Sequence, residues 1–459
     1  MHENKVIRDL TEGNVFRKLL VFSLPYMAAN FLHTLYTLVD LAIVGRFTDS
    51  AGVAAIANAG NITMLLYAVG IGFGAGGGIF IAQLVGAKRY NDLQETIGTL
   101  TTFCLLCAVG LMILGAALAE PLLRLLNVPE EAFGYAVAYL CICCVGMPFT
   151  FCYGTFSDTL RGMGDSIHPL YILIFSTIVN TVLDYVFVAI FRWGSAGAAW
   201  ATVIAQACSF AFSWVFLYRR REQFHFDFKL RSFAIKRDKL AVAVKLSIPL
   251  ITMSAAINIS MMFVNSLVNS YGLIASAVSG IGSKIMSISF IVTSAVENAV
   301  SATVGQNMGA RRPERAQKTV YAGWAICLVY FAFLAVLCYV FPEQAFRLFS
   351  NDPEVIAMSR TYMRIYVWMF LAAGLMGPPL GHINGVGNTL LNMGIAMLDG
   401  VIARIGLSLL FGRTLGMGLE GFWLGNALAG FVSVVLASLY FFFGRWRERQ
   451  LLKPEEIEA

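Results

Sequence analysis

The chain has 459 residues, 58% hydrophobic and 13% charged, with a mean hydropathy of +0.71 and a formal net charge of +6. Soluble domains carry about 25% charged residues, so this composition excludes a set of water-facing domains, a disordered chain and a nucleic-acid-coating protein. What remains is an all-α polytopic membrane protein: a span takes about 20 apolar residues, and the length holds about a dozen.

In chain order, apolar segments bounded by charge, Gly or Pro predict twelve transmembrane helices. Helices 1 to 6 cover about 15–45, 52–84, 93–118, 132–156, 169–191 and 196–218. Helices 7 to 12 cover about 246–271, 275–304, 316–341, 355–378, 390–411 and 419–443. The expected organisation is an N-terminal lobe (1–218), a basic linker (219–245), a C-terminal lobe (246–444) and a tail (445–459). With the N-terminus in the cytoplasm, 24 Lys and Arg fall inside and seven outside. This positive-inside bias predicts a multi-pass protein of the cell inner (plasma) membrane with both termini cytoplasmic. The basic linker reads as a solvated connector beside anionic lipid headgroups, and the positive charge implies no nucleic-acid partner. Residues 1–14 are polar, and the apolar run after them is too long for a signal peptide. All nine cysteines lie in apolar stretches, so no disulfide framework is expected and the Cys104/Cys107 pair reads as packing.

The second half echoes the first at an offset of about 223. Residues 83–96 and 306–319 share six of 14 positions, Leu24-Pro25 matches Ile248-Pro249, and Arg161-Gly-Met-Gly-Asp165 matches Asn384-Gly-Val-Gly-Asn388. Six spans per copy is an even number, so both copies enter from the same side. That predicts two six-helix lobes related by a pseudo-two-fold axis along the membrane normal, an arrangement suited to alternating access.

Leu10-Thr-Glu-Gly13, the helix-1 pattern Ser23-Leu-Pro…Val39-Asp-Leu…Val44-Gly-Arg46, the paired Gly-Ala-Lys/Arg-Arg loops, Arg161-Gly-Met-Gly164 and Asn180-Thr-Val-Leu-Asp184 together resemble the MATE (multidrug and toxic compound extrusion) family over about residues 10–444. Gly72-Phe-Gly-Ala-Gly-Gly77 matches a dinucleotide fingerprint, but that motif needs a βαβ unit. In mid-span it reads as a small-residue face for helix packing. No P-loop, metal-spaced His/Cys cluster or nucleophile–base grouping occurs, so neither an enzyme nor direct ATP drive is expected.

Ionisable groups inside a span are costly and mark functional sites. Asp40 lies about 9 Å below the outer end of helix 1, Asp184 about 12 Å deep on helix 5 and Thr202 about 10 Å deep on helix 6, at 1.5 Å per residue. Asn180 is one turn from Asp184. These four can share one layer, either as a carboxyl pair that exchanges a proton or as oxygen ligands of Na⁺. Tyr36 and Thr37 lie beside Asp40. The twin positions in the second half are Val264 and Leu407, so only the first lobe is expected to bind the coupling cation. Tyr36, Thr37, Met64, Tyr67, Met261, Met262 and Lys284 are candidates to line an apolar, aromatic substrate cleft. Lys284 would disfavour a strictly cationic substrate. Glu297 lies deeper toward the cytoplasm. Asp399 and Arg404, five residues apart and so poorly aligned for direct pairing, read as structural interhelical pairing.

The resemblance implies the same coupling network at Asp40, Asn180, Asp184 and Thr202, and a bending proline at Pro25, where a lost backbone hydrogen bond makes a kink cheap. Ala256 and Ile257 stand where the NorM-like branch has a helix-7 Glu, which places the sequence with the DinF-like branch. The expected function is secondary active efflux of amphipathic, often cationic small molecules by H⁺ or Na⁺ antiport, with no cofactor, by a chain working as a monomer. A flippase of lipid-linked precursors and an exporter of one specific metabolite are the alternatives.

Overall fold

The computed structural model describes residues 7–449 and 451–452; residues 1–6, 450 and 453–459, including part of the expected cytoplasmic tail, lie outside the described set. The described chain is helical throughout, and twelve long helices carry it: α1 Val15–Phe47, α2 Ser50–Gly86, α3 Tyr90–Ala117, α4 Glu130–Gly162, α5 Ile167–Ile190, α6 Gly194–Arg219, α7 Arg237–Asn269, α8 Leu273–Gly309, α9 Pro313–Val340, α10 Pro353–Gly385, α11 Thr389–Thr414 and α12 Gly418–Phe443. Eleven of them are long and apolar enough to cross a membrane. The twelfth, α10, has the same 33-residue length as α4, its counterpart in the repeat, but carries Arg360 and Arg364 near its start.

The duplication is built into the backbone. The helices α2, α3 and α4 begin and end 223 positions before α8, α9 and α10. The turn after α2 places Lys88 at φ 58°, and the turn after α8 places Arg311 at φ 55°. Gly164 and Gly387, also 223 apart, take φ 87° and 76° in the turns after α4 and α10, a left-handed conformation that glycine adopts without steric cost.

The chain forms two compact units. One contains Ala28–Ile251; the other contains Leu10–Met27 and Thr252 onward. Unit membership therefore changes inside α1, two residues after Pro25, and inside α7, two residues after Pro249. The core of the first unit includes Ala55, Ala59, Leu140, Met147 and Phe151, and that of the second includes Val296, Phe331, Phe370 and Trp423. The glycine run of α2 is a packing face, as expected. A Cβ on Gly77 would meet Leu100 of α3 at 2.6 Å, and one on Gly76 would meet Ser247 of α7 at 2.3 Å.

The segments ahead of α1 and α7 are docked. In the second unit, the Leu10 N–H donates to Gln306 Oε1 at 2.9 Å, and Arg315 Nη1 donates to the Gly13 carbonyl at 2.7 Å. The opening motif and the basic turn after α8 are thus two sides of one contact. In the first unit, the linker expected to be solvated keeps most of its Lys and Arg exposed, but part of it is docked. Phe224 and Phe226 are fully buried, Trp214 stacks on Phe233 at 5.9 Å, and the Thr102 hydroxyl donates to the Phe233 carbonyl at 2.7 Å. The alternation His225-Phe226-Asp227-Phe228 puts aromatic rings on one side of the strap and charge on the other, so the segment's basic content hid its apolar face. The Ser232 hydroxyl donates to Asp227 at 2.5 Å and holds that carboxyl below its ordinary range.

Candidate functional site

The four polar residues of the expected coupling layer meet within the first unit. Asp184 ends the regular part of α5, and Tyr185–Ile190 continue as a π-helical turn, a departure from α geometry often found at functional sites. Asn180 and Asp184 are buried, 1% and 0% exposed. With the amide orientation that satisfies both sides, Asn180 Nδ2 donates to Asp184 Oδ2 at 2.6 Å, and its Oδ1 accepts from the Thr202 N–H of α6 at 3.3 Å. From α1, the Asp40 carboxyl lies beside Asp184, and the Tyr36 hydroxyl lies near Thr202. Asp40 Oδ1 and Asp184 Oδ1 are each buried without a hydrogen-bond partner. Neither acid pairs with a Lys or Arg among the described residues.

Two carboxylates in contact repel, and an orphaned buried oxygen costs about 1–3 kcal/mol. A proton or a small cation between Asp40 and Asp184 would relieve both penalties. The donors are all oxygen, a set that suits a hard cation, although no cluster of three or more His, Cys, Asp or Glu at metal spacing occurs among the described residues.

The remaining cleft candidates are dispersed. Thr37 donates to the His33 carbonyl of its own helix at 3.0 Å. Met64 is exposed, and the Tyr67 hydroxyl sits near the Cys143 carbonyl at 3.5 Å, with Thr150 and Gln206 close by. Met261, Met262 and Lys284 belong to the second unit; Met262 and Lys284 are exposed, and Met261 Sδ lies 4.0 Å from Arg404 Nη1. Pro25 sits inside a continuous α1. Sequence reading missed Tyr139, which lies in the electrostatic reach of Asp40 and Tyr36, and the Thr150–Gln206 pair. Gln206 stands one turn from Thr202 on α6, so its polarity in a span was a usable signal. Tyr139, one aromatic among many, gave none.

The second unit carries a different network at the matching depth. Asp399 and Arg404 pair directly, Nη2 to Oδ1 at 3.3 Å. The expectation that a five-residue separation prevents this pairing is overturned, because Leu398–Ala403 is π-helical. A π turn bonds i to i+5, which stacks the two side chains. Arg404 Nη1 also donates to Asn426 Oδ1 at 2.7 Å, Asn426 donates to the Tyr366 hydroxyl at 2.9 Å, and Ser433 donates to Asp399 at 2.7 Å. At an offset of 224, Arg404 stands at the position of Asn180 and Asn426 at that of Thr202. The first unit leaves two acids without a fixed cation; the second neutralises its charge internally.

Comparison with known proteins agrees with this duplicated architecture. The MatE family profile matches twice, over residues 25–186 and 249–410. "Probable multidrug resistance protein YoeA" of Bacillus subtilis is 28% identical over 98% of this chain and 98% of its own. "Probable multidrug resistance protein NorM" of Thermotoga maritima is 24% identical, covering 96% and 95%. The fold matches a solved structure described as "Outward-facing conformation of a multidrug resistance MATE family transporter of the MOP superfamily" with a TM-score of 0.88 at 20% identity, covering 94% and 96%. A MOP superfamily transporter from Pyrococcus furiosus superposes with a TM-score of 0.88 at 21% identity, covering 97% and 98%. With two matched six-helix halves and a family profile spanning most of both, the chain belongs to the MatE family of multi-pass membrane transporters.

Proposed function

We propose that the chain is a secondary active exporter of amphipathic, often cationic small molecules, driven by H⁺ or Na⁺ entering across the plasma membrane and working by alternating access. The observation that carries this reading is the proximity of Asp40 and Asp184, each with a buried, unpartnered oxygen and no fixed cation. Such a pair binds a cation in one access state and loses it in the other. A ligand shifts a conformational equilibrium only by its differential affinity for the two states. Asn180 and Thr202 position Asp184, and Tyr36 ties α1 to α6. Filling the site removes the repulsion between α1 and α5, and α1 responds at Pro25. The basic turns after α2 and α8 face the cytoplasm in this scheme. One chain carries both lobes, so a monomer suffices, and no cofactor beyond the coupling ion is needed. The relatives' naming as probable multidrug resistance proteins supports a multidrug substrate range.

The test is dye efflux from proteoliposomes under an imposed pH or Na⁺ gradient, the two gradients separating the two ions. Asp40→Asn mimics the protonated acid and cannot cycle. It is expected to fold and still bind dye, yet to lose gradient-driven efflux. Wild-type efflux by Asp40→Asn under both gradients would overturn the assignment.

A further inference from the structure

The internal repeat trades an acid for a glycine between its halves. In the first unit a Cβ on Gly162 of α4 would meet the Gly78 carbonyl of α2 at 2.6 Å. In the second, 223 positions later, a Cβ on Gly385 of α10 would meet the Ser301 carbonyl of α8 at the same 2.6 Å. One turn earlier the residues are exchanged. Asp158 of α4 lies over Gly74 of α2, whose Cβ would meet Asp158 Oδ2 at 2.2 Å. In the second unit the acid is on the other helix: Glu297 of α8 stands at the Gly74 position and Gly381 of α10 at the Asp158 position. A Cβ on Gly381 would meet the Glu297 carbonyl at 2.3 Å. Each half keeps one carboxyl at the same helix crossing.

Their partners differ. Asp158 accepts from Arg161 Nη1 at 3.0 Å, a fixed ion pair. The repeat puts Asn384 at the Arg161 position. Its Nδ2 meets Glu297 Oε1 at 3.4 Å, while its Oδ1 accepts from Asn392 at 2.8 Å. A neutral amide thus replaces the guanidinium, and no Lys or Arg lies within ion-pair distance of Glu297 among the described residues. The helices packed most extensively on α8 are α10 and α9; Trp423 of α12 meets it at Ser279 and the Leu10 segment at Gln306, both away from Glu297. From α9 the titratable group near Glu297 is the Cys327 thiol. From α10, His382 turns its ring to Trp446 at 4.4 Å and Phe441 at 5.2 Å. On α8 itself Lys284 is 13 residues away, about 20 Å along the axis. Glu297 is half-buried and its neighbour Asn298 exposed, and Gly381 lies about 6 Å from the end of α10.

We propose that Glu297, oriented by Asn384, is an exchangeable-cation site of the second unit, holding a proton at rest and exchanging it for the cationic centre of an entering amphipathic substrate. The carboxylic O–H breaks, the proton leaves to water, and the carboxylate pairs with the organic cation. The inference rests on the exporter reading for its substrate, but its residues are separate from the Asp40 layer.

The test is equilibrium binding of tetraphenylphosphonium to the purified full-length protein in weak buffer, with released protons followed by an indicator dye. An uncharged triphenylphosphine derivative serves as control. Glu297→Gln is expected to weaken tetraphenylphosphonium about tenfold, a change of about 1.4 kcal/mol, and to lower proton release while leaving the uncharged probe unaffected. Asn384→Arg, which installs the pairing of the first unit, is expected to do the same. Glu297→Asp is expected to restore binding, and Asp40→Asn to retain the share of proton release due to Glu297. Unchanged affinity and proton release in Glu297→Gln, with wild type binding the probe and Asp40→Asn losing efflux, would overturn this inference alone. A wild-type protein that binds no organic cation would overturn the exporter reading and this inference with it.

Discussion

Removing the Asp399 carboxylate tests whether the second unit's buried charges are structural. Asp399→Asn takes away the 3.3 Å ion pair and the ionised acceptor for Ser433. Arg404 is 5% exposed, so its charge stays in the interior with Asn426 as its remaining oxygen acceptor at 2.7 Å and Nε without a partner. Stranding one member of a buried pair costs about 3–5 kcal/mol. The surviving Asn426 bond puts this case near the lower end, about 3 kcal/mol, roughly a hundredfold in the folded population. Replacing both partners with apolar residues of similar volume, Asp399→Leu with Arg404→Met, removes the stranded charge, and such replacements are often close to neutral. The double variant is therefore expected to be about 2–3 kcal/mol more stable than Asp399→Asn. Reversible unfolding in mixed micelles, titrated with dodecyl sulfate, compares wild type, the single variant and the double. An Asp399→Asn protein as stable as wild type, or a double variant as unstable as the single, would refute the reasoning. The double variant is also expected to keep gradient-driven efflux, because the pair is closed on itself and offers no site to a mobile ion.

Gly98→Ala would place a Cβ 1.7 Å from the Ser232 carbonyl, so the strap should lift from α3. Limited trypsin digestion is expected to cut between residues 219 and 237 faster than in wild type, and equal rates would count against a docked strap. Pro25→Ala restores a backbone N–H inside α1 and stiffens it. Turnover in proteoliposomes is expected to fall severalfold with little change in expressed, folded protein, and unchanged turnover would remove Pro25 from the gating step.

Helix number, the repeat and the meeting of Asp40, Asn180, Asp184 and Thr202 were legible in the sequence, because each rests on a local rule. Apolar length sets a span, an offset match sets a duplication, and helix depth sets a shared layer. What was not legible depends on departures from local rules. The five-residue spacing of Asp399 and Arg404 argues against pairing in an α-helix, and nothing in Leu398–Ala403 announces a π turn. Docking of the strap required seeing that Phe224, Phe226, Phe228 and Phe233 share one face, a short-range alternation outweighed by nine basic residues between 219 and 245. Glu297 was visible as an acid in a span, but its relation to Asp158 was not. Only the packing of α4 on α2 and α10 on α8 shows that the two acids occupy the same crossing from opposite helices.

That exchange bears on how a duplicated transporter becomes directional. Two identical halves would bind the same ion at two equivalent places, and nothing would distinguish the ion path from the substrate path. Here the halves have diverged by complementary neutralisation. Toward the end of α1 remote from the basic turns, the first unit has two acids without a fixed cation, and the second has Arg404 closed on Asp399 and Asn426. One turn from the other end of α4 and α10 the pattern reverses: the first unit closes Asp158 with Arg161, and the second leaves Glu297 facing an amide. Each half has therefore silenced one of two positions, and the two that remain unsatisfied lie at opposite ends of the helices. A carboxyl without a fixed cation is a place where a mobile cation gains the most, since no internal charge must be displaced. In the proposed scheme, separating two such places by lobe and by depth lets the driving ion and the cargo be read by different helices of the same duplicated frame.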